Sequence, residues 1–86
     1  MQPVHLHRVN AEANMARFYH VDIAPTLFGE VFLLRSWGRI GTHGRTSVET
    51  FATPEAAETA AARTLRQKAQ RGYVAAPRMR VADLPS

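Results

Sequence analysis

The residues best equipped for chemistry lie in one stretch, Arg35-Ser36-Trp37-Gly38-Arg39-Ile40-Gly41-Thr42-His43-Gly44-Arg45. It holds the only tryptophan, three of the five glycines and three of the eleven Lys/Arg residues. An indole offers a flat apolar face and a guanidinium a fixed positive fork. Together they suit a ligand with a sugar or base for the ring and phosphates for the arginines. The spacing Gly38-x-x-Gly41-x-x-Gly44 is not the dinucleotide fingerprint, because it lacks the Gly-x-Gly start and a strand pattern follows it. Backbone amides in such a turn can still meet a phosphate. The alternative for the same residues is structural: Trp37 in a core, Arg39 in solvent, and glycines that let the chain turn.

Other chemistries find little support. With no cysteine there is no thiol nucleophile, disulfide or thiolate metal site. Ser36, Ser47 and Ser86 lack a strand-to-helix nucleophile elbow. His5 and His7 lie two apart and could share a strand face, whereas His20 and His43 are elsewhere; no helical pair four apart and no His-Glu metalloprotease motif occurs. No metal site and no cofactor are expected. Asp22, Glu30 and Glu49 could meet across strands, but nothing in the sequence marks an environment that would split their pKa values. The expectation is a protein that is not an enzyme, with a small hydrolase as the least supported reading.

Composition narrows the partners. Eighty-six residues suit one domain, with 45% hydrophobic and 21% charged residues as in an ordinary globule. No apolar run could span a bilayer and the N-terminus lacks a secretory pattern, so no membrane contact and a cytoplasmic location are expected. Residues 1–62 carry five arginines against six acids. Residues 63–86 carry Arg63, Arg66, Lys68, Arg71, Arg78 and Arg80 against Asp83 alone. That quarter is either a phosphate-attracting patch or a solvated helix face with a basic tail.

The elements that must position these residues follow from hydrophobic period. Val4, Leu6 and Arg8 alternate with His5, His7 and Val9, a weak strand pattern ended by Asn10–Asn14. Phe18–Ile23 is a clearer strand, with Tyr19, Val21 and Ile23 on the core face. Ala24-Pro25-Thr26 interrupts it. Glu30–Trp37 carries large apolar residues on both faces, which predicts a more central strand. Trp37 falls on its Val31/Leu33/Arg35 face unless a bulge at Gly38 intervenes. A four-residue turn, Gly41–Gly44, leads to a strand over Arg45–Phe51.

Thr53 as N-cap, Pro54 at the first position and Glu55 and Glu58 in the opening turns predict a helix over about 54–71. Its inner stripe is Ala57, Ala61, Thr64 or Leu65, and Lys68, and Gly72 suits a left-handed C-terminal cap. Tyr73–Ala76 is a last short strand or a docked arm, and 77–86 a tail. The fold class expected is α+β: an antiparallel sheet of four to five strands with one helix across it.

The stretch Trp37-Gly38-Arg39-Ile40-Gly41, with Gly44 after it, resembles the motif that names the WGR domain. Arg17-Phe18-Tyr19, Leu27-Phe28-Gly29, the Pro54–Ala57 helix start and Lys68…Arg71-Gly72-Tyr73 resemble that domain's pattern in the same order. The resemblance covers about residues 16–75 of a single domain over 1–86, and looks like that of small free-standing bacterial members. It implies an antiparallel sheet with a packed helix. In eukaryotic poly(ADP-ribose) polymerases the domain binds DNA at a break, its tryptophan against a strand end and its arginine relaying the bound state. By that similarity Trp37 would pack on DNA, and Arg39 would be a DNA or an interdomain contact. The 86 residues contain no catalytic domain, regulatory helical domain or zinc finger for Arg39 to signal to.

Two functions follow as expectations. One is a module for duplex DNA ends or nicks, using Trp37, Gly38, Arg39, Arg35 and Arg45 with Arg66, Lys68 and Arg71 extending the charge. The other is an adaptor that docks a partner protein or a second copy through the same hairpin or a sheet edge.

Overall fold

The computed structural model describes residues 2–76. The predicted tail, with Arg78 and Arg80, lies outside the described residues.

Strands β1 (Val4–Asn10), β2 (Met15–Pro25), β3 (Val31–Arg39) and β4 (Arg45–Phe51) run as an antiparallel meander. Helix α1 (Pro54–Gln70) then carries the chain back across one face, and β5 (Val74–Ala75) adds beside β1. The order in the sheet is β4-β3-β2-β1-β5. This is the expected α+β architecture, with the upper number of strands.

The strands follow the sequence pattern and outrun it. β2 extends well beyond Phe18–Ile23 in both directions. Pro25 ends it, paired with Val31, and the Thr26 amide closes the turn on the Glu30 carbonyl at 2.9 Å. The middle strand is β2; β3 lies between β2 and β4. The two-sided apolar pattern of β3 therefore does not mean burial on both sides. Val31 and Leu33 are buried under the helix, whereas Phe32 on the opposite face is 38% exposed. That opposite face carries Ala24, Phe32, Leu34 and Val48, and α1 does not cover it.

The helix starts as its sequence dictates. The Thr53 hydroxyl accepts the Ala56 amide at 3.2 Å, and Pro54 occupies a position where no donor is needed. It ends in a Schellman arrangement. Gly72 adopts φ +96°, the Gly72 amide donates to the Ala69 carbonyl at 3.1 Å, and the Tyr73 amide donates to the Lys68 carbonyl at 3.0 Å. Ala57 and Ala61 are fully buried. Their small side chains let the helix lie close over Leu33 and Val21, which with Leu6, Tyr19 and Val31 complete the core. No helix among the described residues is long and apolar enough to cross a membrane.

Candidate nucleic-acid interface

The site grows from the pairing of β2 with β3. Arg17 opposes Arg39, Phe18 opposes Gly38 and Tyr19 opposes Trp37, with no bulge in between. Side chains alternate along a strand, so Trp37 lies on the helix-facing side with Leu33 and Arg35. The ring is neither buried nor free. It is half-buried, packed on the edge of the core, and stacks on Tyr19 with centroids 6.2 Å apart and planes 18° apart. Tyr73 meets Tyr19 edge-on at 6.3 Å. The Lys68 ammonium, from the last turn of α1, sits above both tyrosine rings.

These groups enclose a cleft of about 480 Å³. Trp37, Tyr19 and Tyr73 give it apolar walls; Arg17, Arg39 and Lys68 give it positive charge; among the described residues no carboxylate lines it. A smaller hollow of about 270 Å³ lies between Tyr19, Trp37, Lys68, Arg35 and Ser47. Burial pushes the Lys68 ammonium below its ordinary pKa, with Arg71 acting in the same sense. The aromatic faces beneath it favour the charged form. Burial likewise raises the Tyr19 phenol; Arg35 opposes that shift and Tyr73 adds to it.

The glycines of the hairpin have distinct tasks. A Cβ on Gly38 would lie 2.7 Å from the Gly44 Cα, and one on Gly44 would overlap the Trp37 carbonyl. Gly38 and Gly44 thus let the chain leaving β3 fold back onto it. Gly44 also has φ +67°, and Gly41 has φ +94° with open space around it. The connection spans residues 40–44, one residue more than the expected Gly41–Gly44 turn, because β3 ends at Arg39 and leaves Ile40 outside the strand. The Thr42 hydroxyl donates to the Arg39 carbonyl at 2.7 Å and holds the turn against the strand end.

Among the residues expected to bind, Trp37, Gly38, Arg39 and Lys68 converge on the main cleft. Arg35 borders the smaller hollow and its guanidinium pairs with Glu49 at 3.0 Å. Arg45 stands opposite Trp37 on β4 and is exposed. Arg66 and Arg71 are exposed on the helix and its C-cap and line neither space. Sequence reasoning passed over Arg17 and Tyr73 as site residues and placed Tyr19 in the core. The signal for Arg17 was its distance from Tyr19: two residues along a strand share a face.

The histidines are elsewhere. His5 and His20 stack on the helix-free face, centroids 4.1 Å apart. Among the described residues no group of three or more His, Cys, Asp or Glu is placed to hold a metal ion.

With this geometry established, comparison with known proteins places the chain. The family model described as the WGR domain matches residues 2–80. This chain belongs to the WGR domain family. The naming triplet is Trp37-Gly38-Arg39, at the end of β3. In poly(ADP-ribose) polymerases the WGR domain is a nucleic-acid-binding module. A relative from Sinorhizobium fredii, the uncharacterized protein y4dW, is 47% identical over 74 residues. The match covers 84% of this chain but 36% of that protein, so the WGR chain spans about a third of its relative's length. No solved structure matches the chain.

Proposed function

We propose that this WGR domain binds nucleic acid and recognises duplex DNA ends or nicks. The observation that carries the reading is the cleft itself: among the described residues, a half-buried indole flanked by two tyrosines and three cations, with no acid. An aromatic wall accepts the flat, apolar part of a terminal nucleotide, while guanidinium and ammonium groups hold its phosphates. Trp37 packs on the strand end; Arg39, Arg17 and Lys68 contact phosphate; Gly38 lets the hairpin close behind the ring. Arg35, Arg45, Arg66 and Arg71 add positive potential around the rim.

The test is binding to blunt duplexes with and without a 5′-phosphate, nicked duplex and single strands, over a range of salt. Affinity should fall steeply with salt. Trp37→Ala should weaken end binding more than it lowers the melting temperature. Equal binding to all substrates would reject end recognition. No binding at low salt would reject nucleic-acid recognition altogether.

A protein-docking adaptor is the second reading. It is favoured by Phe32 and Val48, 38% and 55% exposed on the helix-free face. Val48→Lys should abolish partner capture or self-association that survives nuclease treatment. Capture untouched by that change would place docking elsewhere.

A further inference from the structure

The cleft has a continuation that the naming triplet does not announce. Arg8 opposes Arg17, and Arg17 opposes Arg39, on three adjacent strands. The row lies two residues beyond Leu6, Tyr19 and Trp37 along each strand, so the arginines share the helix-facing side with the indole. Neighbouring strands are roughly 4.8 Å apart, which places the three positions within about 10 Å.

Like charges directly opposite one another oppose sheet pairing. Among the described residues, no ion pair or side-chain hydrogen bond joins any of the three arginines to another group. Arg35, by contrast, is held by Glu49 on the side toward β4. The positive charge also has a direction. The row begins at Arg39 on β3 and ends at Arg8 on β1, where Gly72 follows the helix C-cap: a Cβ there would lie 3.4 Å from the Arg8 Nε. Arg71, the C-cap residue that precedes Gly72, is exposed at this end of the helix.

We infer that Arg8, Arg17 and Arg39 form a phosphate track that leads a bound strand away from Trp37, across β2 and β1, toward the C-terminal end of α1. The inference rests on the proposed nucleic-acid binding and adds its path. The polyanion backbone supplies the spaced negative charges that no described side chain gives the row. A sequence-distant set of arginines aligned by register is suited to following a backbone, because phosphates carry no sequence information.

The experiment uses the full chain and two probes: a labelled blunt duplex, and inorganic tripolyphosphate, which has charge but neither base nor sugar. Arg8→Gln and Arg17→Gln should each reduce the magnitude of the duplex salt slope by about 1. Both should weaken tripolyphosphate binding, with a melting temperature equal to or above wild type because a like-charge neighbour is gone. Arg17→Lys should keep the slope. Arg63→Gln removes the same charge from an exposed helix position outside the cleft, and its slope should match wild type.

An equal loss in Arg63→Gln would show that net charge alone matters and overturn the track. Duplex binding that depends on Trp37 but not on Arg8 or Arg17 would also overturn it, leaving the proposed function in place. Row-dependent tripolyphosphate binding without duplex binding would sustain the anion track and reject the nucleic-acid reading. Binding of neither probe would reject both.

Discussion

The Lys68 ammonium lies 4.6 Å from the centroid of the Tyr19 ring and 5.5 Å from that of Tyr73. One cation thus joins the last turn of α1, the middle strand and the segment leading into β5. Lys68→Met keeps the apolar stem and removes the charge. It should lower stability by about 0.5–1 kcal/mol, measured by urea denaturation. Its effect on duplex affinity should be larger than its effect on folding, because the ammonium also lines the cleft.

The two hairpin glycines should fail differently from the third. Gly44→Ala sets a side chain at φ +67° against the Trp37 carbonyl, and should cost more than about 2 kcal/mol. Gly38→Ala should destabilise through overlap with the Gly44 backbone. Gly41→Ala, at φ +94° in open space, should cost only about 1 kcal/mol of backbone strain. Equal losses at all three positions would refute the close approach.

The His5–His20 stack should make stability depend on pH. Burial lowers the His20 pKa, the neighbouring His5 lowers it further, and Asp22 opposes both. His20 Nε2 has no hydrogen-bond partner among the described residues. A depressed folded pKa means that the unfolded chain binds the proton first. The contribution is therefore present above about pH 6.5 and lost as pH falls through the folded value. Melting temperature should drop between pH 7.5 and 5, and His20→Phe should flatten that drop.

Releasing Arg35 should strengthen polyanion binding. Its ion pair with Glu49 is partly exposed, so Glu49→Gln should change stability by less than about 1 kcal/mol. The freed guanidinium borders Trp37 in the smaller hollow. Tighter duplex binding, with a salt slope steeper by up to about 1, is the expected result. Unchanged affinity would show that Arg35 lies outside the bound phosphates.

Helix seating should control the cleft. Ala61 is fully buried against the core cluster. Ala61→Leu should cost about 1–3 kcal/mol by overpacking and lift α1 from the sheet. Lys68 would then leave the tyrosine rings, so binding should weaken in a variant that still folds. Calorimetry with anisotropy would separate the two effects.

Much of this was legible in the sequence, because it depends on neighbours in the chain. Thr53, Pro54 and Gly72 mark the helix by local hydrogen bonding and backbone freedom. Tyr19, Val21 and Ile23 mark a core face by period two. The placement of Trp37 followed from counting along β3. What escaped depends on pairing between distant strands. Nothing near Arg8 in sequence indicates that Arg17 and Arg39 will stand beside it; only the register does. The charge-rich C-terminal quarter drew attention to Arg66 and Arg71, yet these are exposed and do not line the cleft, which draws its guanidiniums from the sheet. Phe32 and Leu34 suggested burial on two sides, because composition cannot show that only one face has a helix to cover it.

The helix end has a consequence for motion. The Lys68 carbonyl receives the Tyr73 amide in the turn that closes α1, and the same two residues supply a cation and a ring to the cleft. Helix ends fray more readily than cores open. Each fraying event that breaks this turn would therefore unmake one wall of the cleft, and a ligand seated there would hold the turn shut. Occupancy and the winding of the last helical turn are linked equilibria, each favouring the other. The Gly72 and Tyr73 amides should accordingly exchange hydrogen more slowly when the cleft is filled, which makes the end of the helix a reporter of binding.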